Sequence, residues 1–313
     1  MSKILLIGEP MALLIAQEPG SLALADHFER RLAGAEINVS IGLTRLGHEA
    51  VYFTRIGRDP FGEYVVNMLE KERIATDYIM YDDVYKTGIQ LKNKVTEGDP
   101  TTAYYRKGSA FSHLTPDDIE KIDLSTIDYI HVTGIPPALS TGCEEATYRL
   151  VERAKANDIF LSFDPNLRPA LWQDQDHMKQ VINRLASKAD LILPGQEEGL
   201  LLCGTDDPEK IADFYQGLGI DKIVVKTGSA GAYVREGGDS YTVPGFKVDQ
   251  VVDTVGAGDG FAAGVISGIA EGIPLRDAVL RGNAIGAIQV THISDNEGLP
   301  TVDQLKSFMK GHA

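Results

Sequence analysis

Short apolar runs rich in β-branched residues recur along this chain with helix-period segments between them, and no other feature constrains the fold as much. Parallel strands joined by helical crossovers are covered on both faces, so they read as continuous apolar runs of about four to eight residues. Such runs fall at residues 4–7, 50–53, 129–132, 159–163, 191–193, 223–226 and 232–235. Helical patterns occupy 36–46, 62–72, 144–157, 176–187, 208–216, 260–271 and 275–291. This order predicts an α/β fold with a doubly wound, mostly parallel sheet.

Two stretches, 11–18 and 88–107, break the rhythm. In Ile89-Gln90-Leu91-Lys92 apolar and polar residues alternate, as in an antiparallel strand with two unlike faces. Glu97-Gly98-Asp99-Pro100 is a turn signal placed to make a hairpin of the second stretch. A small antiparallel β lid is expected, inserted at about 11–18 and 88–107 into a single domain spanning 1–313.

The formal net charge is −15, and so acidic a surface repels phosphate backbones and anionic headgroups, which argues against nucleic acid and membranes as partners. An anionic small substrate would need locally concentrated Arg, Lys or backbone N–H groups. Cys143 and Cys203 have neither disulfide nor zinc spacing, as expected of a cytoplasmic protein. Lys3 and the apolar stretch after it imitate a signal peptide, but Glu9-Pro10 interrupts it and no cleavage site follows.

The segment Asp253-Thr254-Val255-Gly256-Ala257-Gly258-Asp259-Gly260-Phe261 runs directly into a helical pattern. Small residues let the N–H groups of Gly256, Ala257 and Gly258 converge at a helix N-terminus, where the dipole also favours an anion. A carboxylate beside an anion site is electrostatically unfavourable unless it has a task, and Asp259 could take the proton of a hydroxyl attacking a phosphate. The alternative is a tight turn with Asp259 as helix cap.

This loop resembles the signature of the ribokinase-like, or PfkB, carbohydrate kinases, and three further elements agree in order. Gly34-Ala35-Glu36-Ile37-Asn38-Val39-Ser40 is similar to that family's sugar-contacting loop. Ile56-Gly57-Arg58-Asp59-Pro60-Phe61-Gly62 matches a Gly-x-Asp-x-Phe-Gly element, and Lys226-Thr227-Gly228-Ser229-Ala230-Gly231 resembles the nucleotide turn. One element departs: where most members have Asn-x-x-Glu, this chain has Gly195 and keeps Glu198. The resemblance implies an ATP-dependent kinase using Mg2+, with Asp259 as base and Gly256, Ala257 and Gly258 as anion hole. It implies ATP contacts at Asn166, Lys226, Thr227, Gly228, Ser229, Gly231, Asn283 and the anion-hole residues, and an indirect magnesium role for Glu198. A dimer with packed lids and use of a monovalent cation are further implications.

Charge narrows the substrate. Arg106 closes the lid stretch in Tyr104-Tyr105-Arg106, and Arg168 follows a core strand in Asp164-Pro165-Asn166-Leu167-Arg168. Two arginines at one cleft suit a carboxylate, because the guanidinium fork pairs with it bidentately. Both patterns are similar to 2-dehydro-3-deoxygluconate kinases, which implies sugar-acid contacts at Gly34, Asn38, Tyr104, Arg106, Arg168, Asp259 and Asp295, and phosphorylation of the terminal hydroxyl. A neutral-sugar kinase such as a fructokinase, or a binding protein without catalysis, are the alternatives. A nicotinamide-dependent dehydrogenase is rejected, since Gly8-Glu9-Pro10-Met11 stands where GxGxxG would be required.

Overall fold

The computed structural model describes residues 2–95, 100–293 and 295–312. The strands are β1 (Lys3–Ile7), β2 (Met11–Pro19), β3 (Phe28–Ala33), β4 (Glu49–Gly57), β5 (Ile79–Asp82), β6 (Ile89–Lys94), β7 (Thr102–Tyr105), β8 (Tyr129–Thr133), β9 (Phe160–Asp164), β10 (Leu191–Ile192), β11 (Lys222–Lys226), β12 (Gly231–Glu236) and β13 (Asp239–Pro244). The helices are α1 (Ala35–Arg45), α2 (Pro60–Lys71), α3 (Pro116–Glu120), α4 (Thr141–Ala156), α5 (Gln175–Ala186), α6 (Gln196–Cys203), α7 (Pro208–Gly217), α8 (Ala257–Ala270), α9 (Leu275–Gln289) and α10 (Val302–Gly311).

The large sheet runs β13-β12-β11-β10-β9-β8-β1-β4-β5, and only the pairings β11–β12 and β12–β13 are antiparallel. Its centre explains the continuous apolar runs. Leu5 and Ile7 of β1 face one buried cluster with Val51, Phe53, Ile130 and Val132, while Ile4 and Leu6 face a second with Ala50 and Tyr52. Both faces are covered, so no position of β1 requires a polar residue.

The smaller sheet, in the order β3-β2-β6-β7, is antiparallel at β2–β3 and β6–β7 but parallel where β2 meets β6. The expected strands at 11–18 and within 88–107 are present, whereas β3 was not foreseen. Its centre, Glu29-Arg30-Arg31, is polar and solvated, which leaves no alternation to read. Strands β5 and β13 lie at the edges of the large sheet and were likewise missed. Of the proposed hairpin turn, Glu97, Gly98 and Asp99 lie outside the described residues.

Parallel strands deliver their carboxyl ends to one edge of a sheet, where open α/β folds leave a crevice. Glu9 follows β1, Thr133 ends β8, Asp164 ends β9 and Lys226 ends β11, so these polar groups gather at that edge. The small sheet adds Met11, Gln90, Tyr104 and Arg106 to the same crevice.

Candidate active site

The crevice encloses about 690 Å³. At one end α8 begins. Gly256 precedes it with φ 79°, and a β-carbon there would overlap the backbone oxygen of Asp295, so glycine is required on both counts. No side chain caps this helix, which leaves first-turn N–H groups available to a ligand.

Asp259 lies in that first turn with its carboxylate held from two sides. Asn38 Nδ2 donates to Oδ2 at 2.8 Å and Asn166 Nδ2 donates to Oδ1 at 3.2 Å. Asn38 is itself oriented, because its Oδ1 accepts from Asn296 Nδ2 at 2.9 Å. Asn166 has a left-handed backbone, φ 38°, in a turn closed by its own N–H donating to Asp164 Oδ1. Burial raises the Asp259 pKa against the opposing effects of Asn38, Arg168, Lys226 and Asn166. A fixed carboxylate of raised basicity is suited to receive a hydroxyl proton.

Lys226 and Asp164 form a buried ion pair beside this loop, Nζ to Oδ2 at 2.6 Å. Burial disfavours charge on Lys226, yet Asp164, Glu198 and Asp259 outweigh it and the pKa rises. Burial pushes Asp164 up to about 6 despite the lysine. Glu198 is fastened to the backbone: Gly195 N–H donates to Oε2 at 2.6 Å and Leu167 N–H to Oε1 at 2.8 Å. It thereby caps α6 and ties the turn after β10 to the turn after β9. Among the described residues no group of three or more His, Cys, Asp or Glu is placed to hold a metal ion. The donor set fits a magnesium ion brought in with phosphates and keeping several waters better than a resident metal.

The other end differs. Arg106, only 7% exposed, grips one oxygen of Glu9: Nε and Nη2 lie 2.7 and 2.6 Å from Oε2. Glu9 Oε1 is buried with no hydrogen-bond partner among the described residues. Glu36 lies beneath, accepting a short hydrogen bond from the Thr133 hydroxyl; burial pushes its carboxyl up to about 7, with Asp259 adding to the rise. Arg168 is exposed, donates from Nη1 to the carbonyl oxygens of Asn166 and Leu167, and has no ion-pair partner among the described residues.

Gly34, Asn38, Tyr104, Arg106, Asn166, Arg168, Glu198, Lys226, Thr227, Gly228, Gly256, Gly258, Asp259 and Asp295 all line this one cavity. Ala257, Ser229 and Gly231 belong to lining turns without reaching the wall themselves. Asn283 does not line it: its amide donates to the carbonyl oxygens of Val243 and Pro244, fastening the end of β13 to α9. Asp295 is buried, and burial pushes its carboxyl up to about 7.

Residues 1–302 match the model of the "pfkB family carbohydrate kinase". The chain belongs to that family. It is 46% identical over 303 residues to the 2-dehydro-3-deoxygluconokinase of Bacillus subtilis, covering 96% of this chain and 94% of that protein. Among solved structures it resembles a PfkB protein from Polaromonas sp. JS666, with a TM-score of 0.91, 42% identity and coverage of 98% of this chain and 100% of that one. It also resembles the fructokinase of Vibrio cholerae O395 with fructose, ADP and calcium ion bound, with a TM-score of 0.85, 26% identity and coverage of 98% and 99%.

For a PfkB kinase the departure at Gly195 has a local account: the residue serves as a helix cap through its N–H, which every residue type but proline supplies. Sequence reasoning missed Glu9 and Asn296 as parts of the site, and had Asp164 only within the Asp164-to-Arg168 pattern, without its pairing to Lys226. Glu9 could have been found from its place directly after a core strand. Asn296 carries no such signal, since its role depends on meeting Asn38 across 258 positions.

Proposed function

We propose that this PfkB kinase transfers the γ-phosphoryl group of ATP to the terminal hydroxyl of 2-dehydro-3-deoxygluconate, giving the 6-phosphate. The observation that carries the sugar-acid assignment is Arg168, a cation without an ion-pair partner among the described residues of a chain of net charge −15, lining the same cavity as Asp259. The identity with the Bacillus subtilis enzyme supports the same reading.

In this reading the sugar carboxylate meets Arg168 and the Nη1 end of Arg106, while Gly34 and Tyr104 shape the sugar pocket. The terminal hydroxyl then faces Asp259, which Asn38 and Asn166 hold ready to receive its proton. N–H groups of Gly256, Ala257 and Gly258 stabilise charge on the transferring group, and Lys226, Thr227 and Gly228 border the phosphates. Magnesium, when bound with ATP, neutralises phosphate charge. The small sheet acts as a lid, inserted in one kinase domain, that excludes water which would otherwise waste ATP. A homodimer with packed lids and a cytoplasmic location, consistent with two free thiols, complete the reading.

A coupled phosphorylation assay across neutral ketoses, aldoses and 2-keto-3-deoxy acids tests it. Preference for the sugar acid is expected; better turnover of fructose would leave the kinase assignment and remove the substrate. Hydrogen exchange with sugar acid and a non-hydrolysable nucleotide tests the lid, and unchanged protection of residues 88–95 and 100–107 would reject it.

A further inference from the structure

Lys92 lies in the middle of the small sheet on β6, yet it is only 5% exposed. Its Nζ lies 2.5 Å from Asp253 Oδ2, and both side chains are largely removed from solvent. Asp253 is the first residue of the anion-binding segment. Its second oxygen, Oδ1, accepts from the N–H of Val255 at 3.1 Å, one residue before Gly256. A single carboxylate therefore joins the lid sheet to the turn that opens the anion hole.

Asp295 adds a second observation. It packs its backbone oxygen against Gly256 from the far side of the turn, and its buried Oδ1 has no hydrogen-bond partner among the described residues. Lys92 is the leading cation acting on that carboxyl. The ammonium thus pairs with one acid of this turn, Asp253, and acts on the other, Asp295, only through its field. A buried ion pair is weak evidence for stability, because desolvation offsets much of the attraction. What this pair does is hold geometry: with Lys92 in place, the Val255–Gly256 turn cannot shift without separating two desolvated charges.

The geometry points to Lys92 as a positioning residue for phosphoryl transfer, holding Asp253 and through it the anion hole, so that the hole is complete only when the lid sheet is in place. This rests on the assignment of Gly256 to Gly258 as the anion hole, and it makes the lid part of the catalytic geometry as well as a cover. Sugar contacts are made elsewhere on the lid, at Tyr104 and Arg106. Loss of Lys92 should therefore act on turnover and leave sugar affinity nearly intact.

The test uses the full-length enzyme and whichever sugar the wild type phosphorylates best, so that a wrong substrate assignment shows in the wild type and a wrong role for Lys92 only in the variants. Lys92→Met keeps length without charge. It should lower kcat on the order of tenfold to hundredfold, the scale of a small misplacement of reacting groups, with sugar KM within about threefold. Lys92→Ala removes a fragment the size of propylammonium, and added propylammonium chloride should restore much of its kcat where tetramethylammonium chloride does not. Should unpaired Asp253 prevent folding of either single variant, Lys92→Met with Asp253→Asn removes both buried charges, and this pair should fold and remain slow. A kcat for Lys92→Met within threefold of wild type, a folded Lys92→Ala that propylammonium does not improve, or full turnover in the double variant would each overturn the proposal.

Discussion

The two ends of the cleft hold charge by different means. At the end proposed to take phosphate, the attraction is assigned to backbone N–H groups at the start of α8, and Asp259 is held by two amide side chains that carry no charge. At the end proposed to take the sugar acid, the positive charge is carried by guanidinium groups, and one of them, Arg106, is already committed to Glu9 across 97 positions of sequence. A backbone anion site needs only small residues and a helix start in a row. A side-chain site depends on what else folding brings beside it, and here it brings a carboxylate that cancels half of the expected charge.

The largest effect that would break this comparison is at Asp259. Asp259→Asn preserves the shape and keeps one acceptor oxygen for the donating amides of Asn38 and Asn166, loses the other, and cannot accept the hydroxyl proton. A positioned general base contributes about 10²–10⁴-fold, so kcat should fall at least a hundredfold with ATP affinity retained. Near-normal turnover of the folded variant would remove Asp259 as base.

The two arginines give the next largest effect, and they should separate. Arg168→Gln removes a cation with no ion-pair partner among the described residues, so it should lower kcat/KM for a sugar acid about tenfold to hundredfold and barely affect a neutral sugar or the melting temperature. Arg106→Gln leaves Glu9, 2% exposed, as an unpaired buried carboxylate. It should lower the melting temperature and weaken both substrates. Equal, selective losses without destabilisation in the two variants would show that Glu9 does not hold Arg106 in solution.

The fold was legible where its cause is local. Continuous apolar runs announced β1, β8, β9 and β11 because both faces of those strands are covered, and small residues announced the anion-binding loop because backbone must come close there. Strand β3 was not legible because its centre, Glu29-Arg30-Arg31, is polar, and the pairing of β2 with β6 was not, since a parallel register between segments far apart in sequence leaves no periodic mark on either. In the site, Asp259, Arg168 and Lys226 could be picked out by type and position. The pairings Arg106–Glu9, Lys226–Asp164 and Asn38–Asn296 could not, because each joins residues whose separation only the folded chain closes.

The smallest effect concerns Glu36, which lines the floor of the cleft and feels charge from both of its ends, Asp259 and Arg106. Burial raises its carboxyl from 4.5 to about 7, so the folded protein binds that proton more tightly than the unfolded chain does. The contribution of the protonated form to stability is therefore complete below about pH 4.5, declines as pH rises, and is gone above about pH 7. At 1.36 kcal/mol per pH unit this interval sets a ceiling of roughly 3 kcal/mol. Asp295 and Asp164 titrate in the same direction, so the wild type alone cannot isolate Glu36. Glu36→Gln keeps an acceptor for the Thr133 hydroxyl and has no proton to lose. Its stability relative to wild type should be lowest near pH 5 and should rise by pH 8, appearing as a gain of a few degrees in melting temperature. Urea unfolding of both proteins at the two pH values measures the difference. A relative stability that does not change with pH would mean that solvent reaches Glu36, and that the floor shared by the two ends of the cleft is wet.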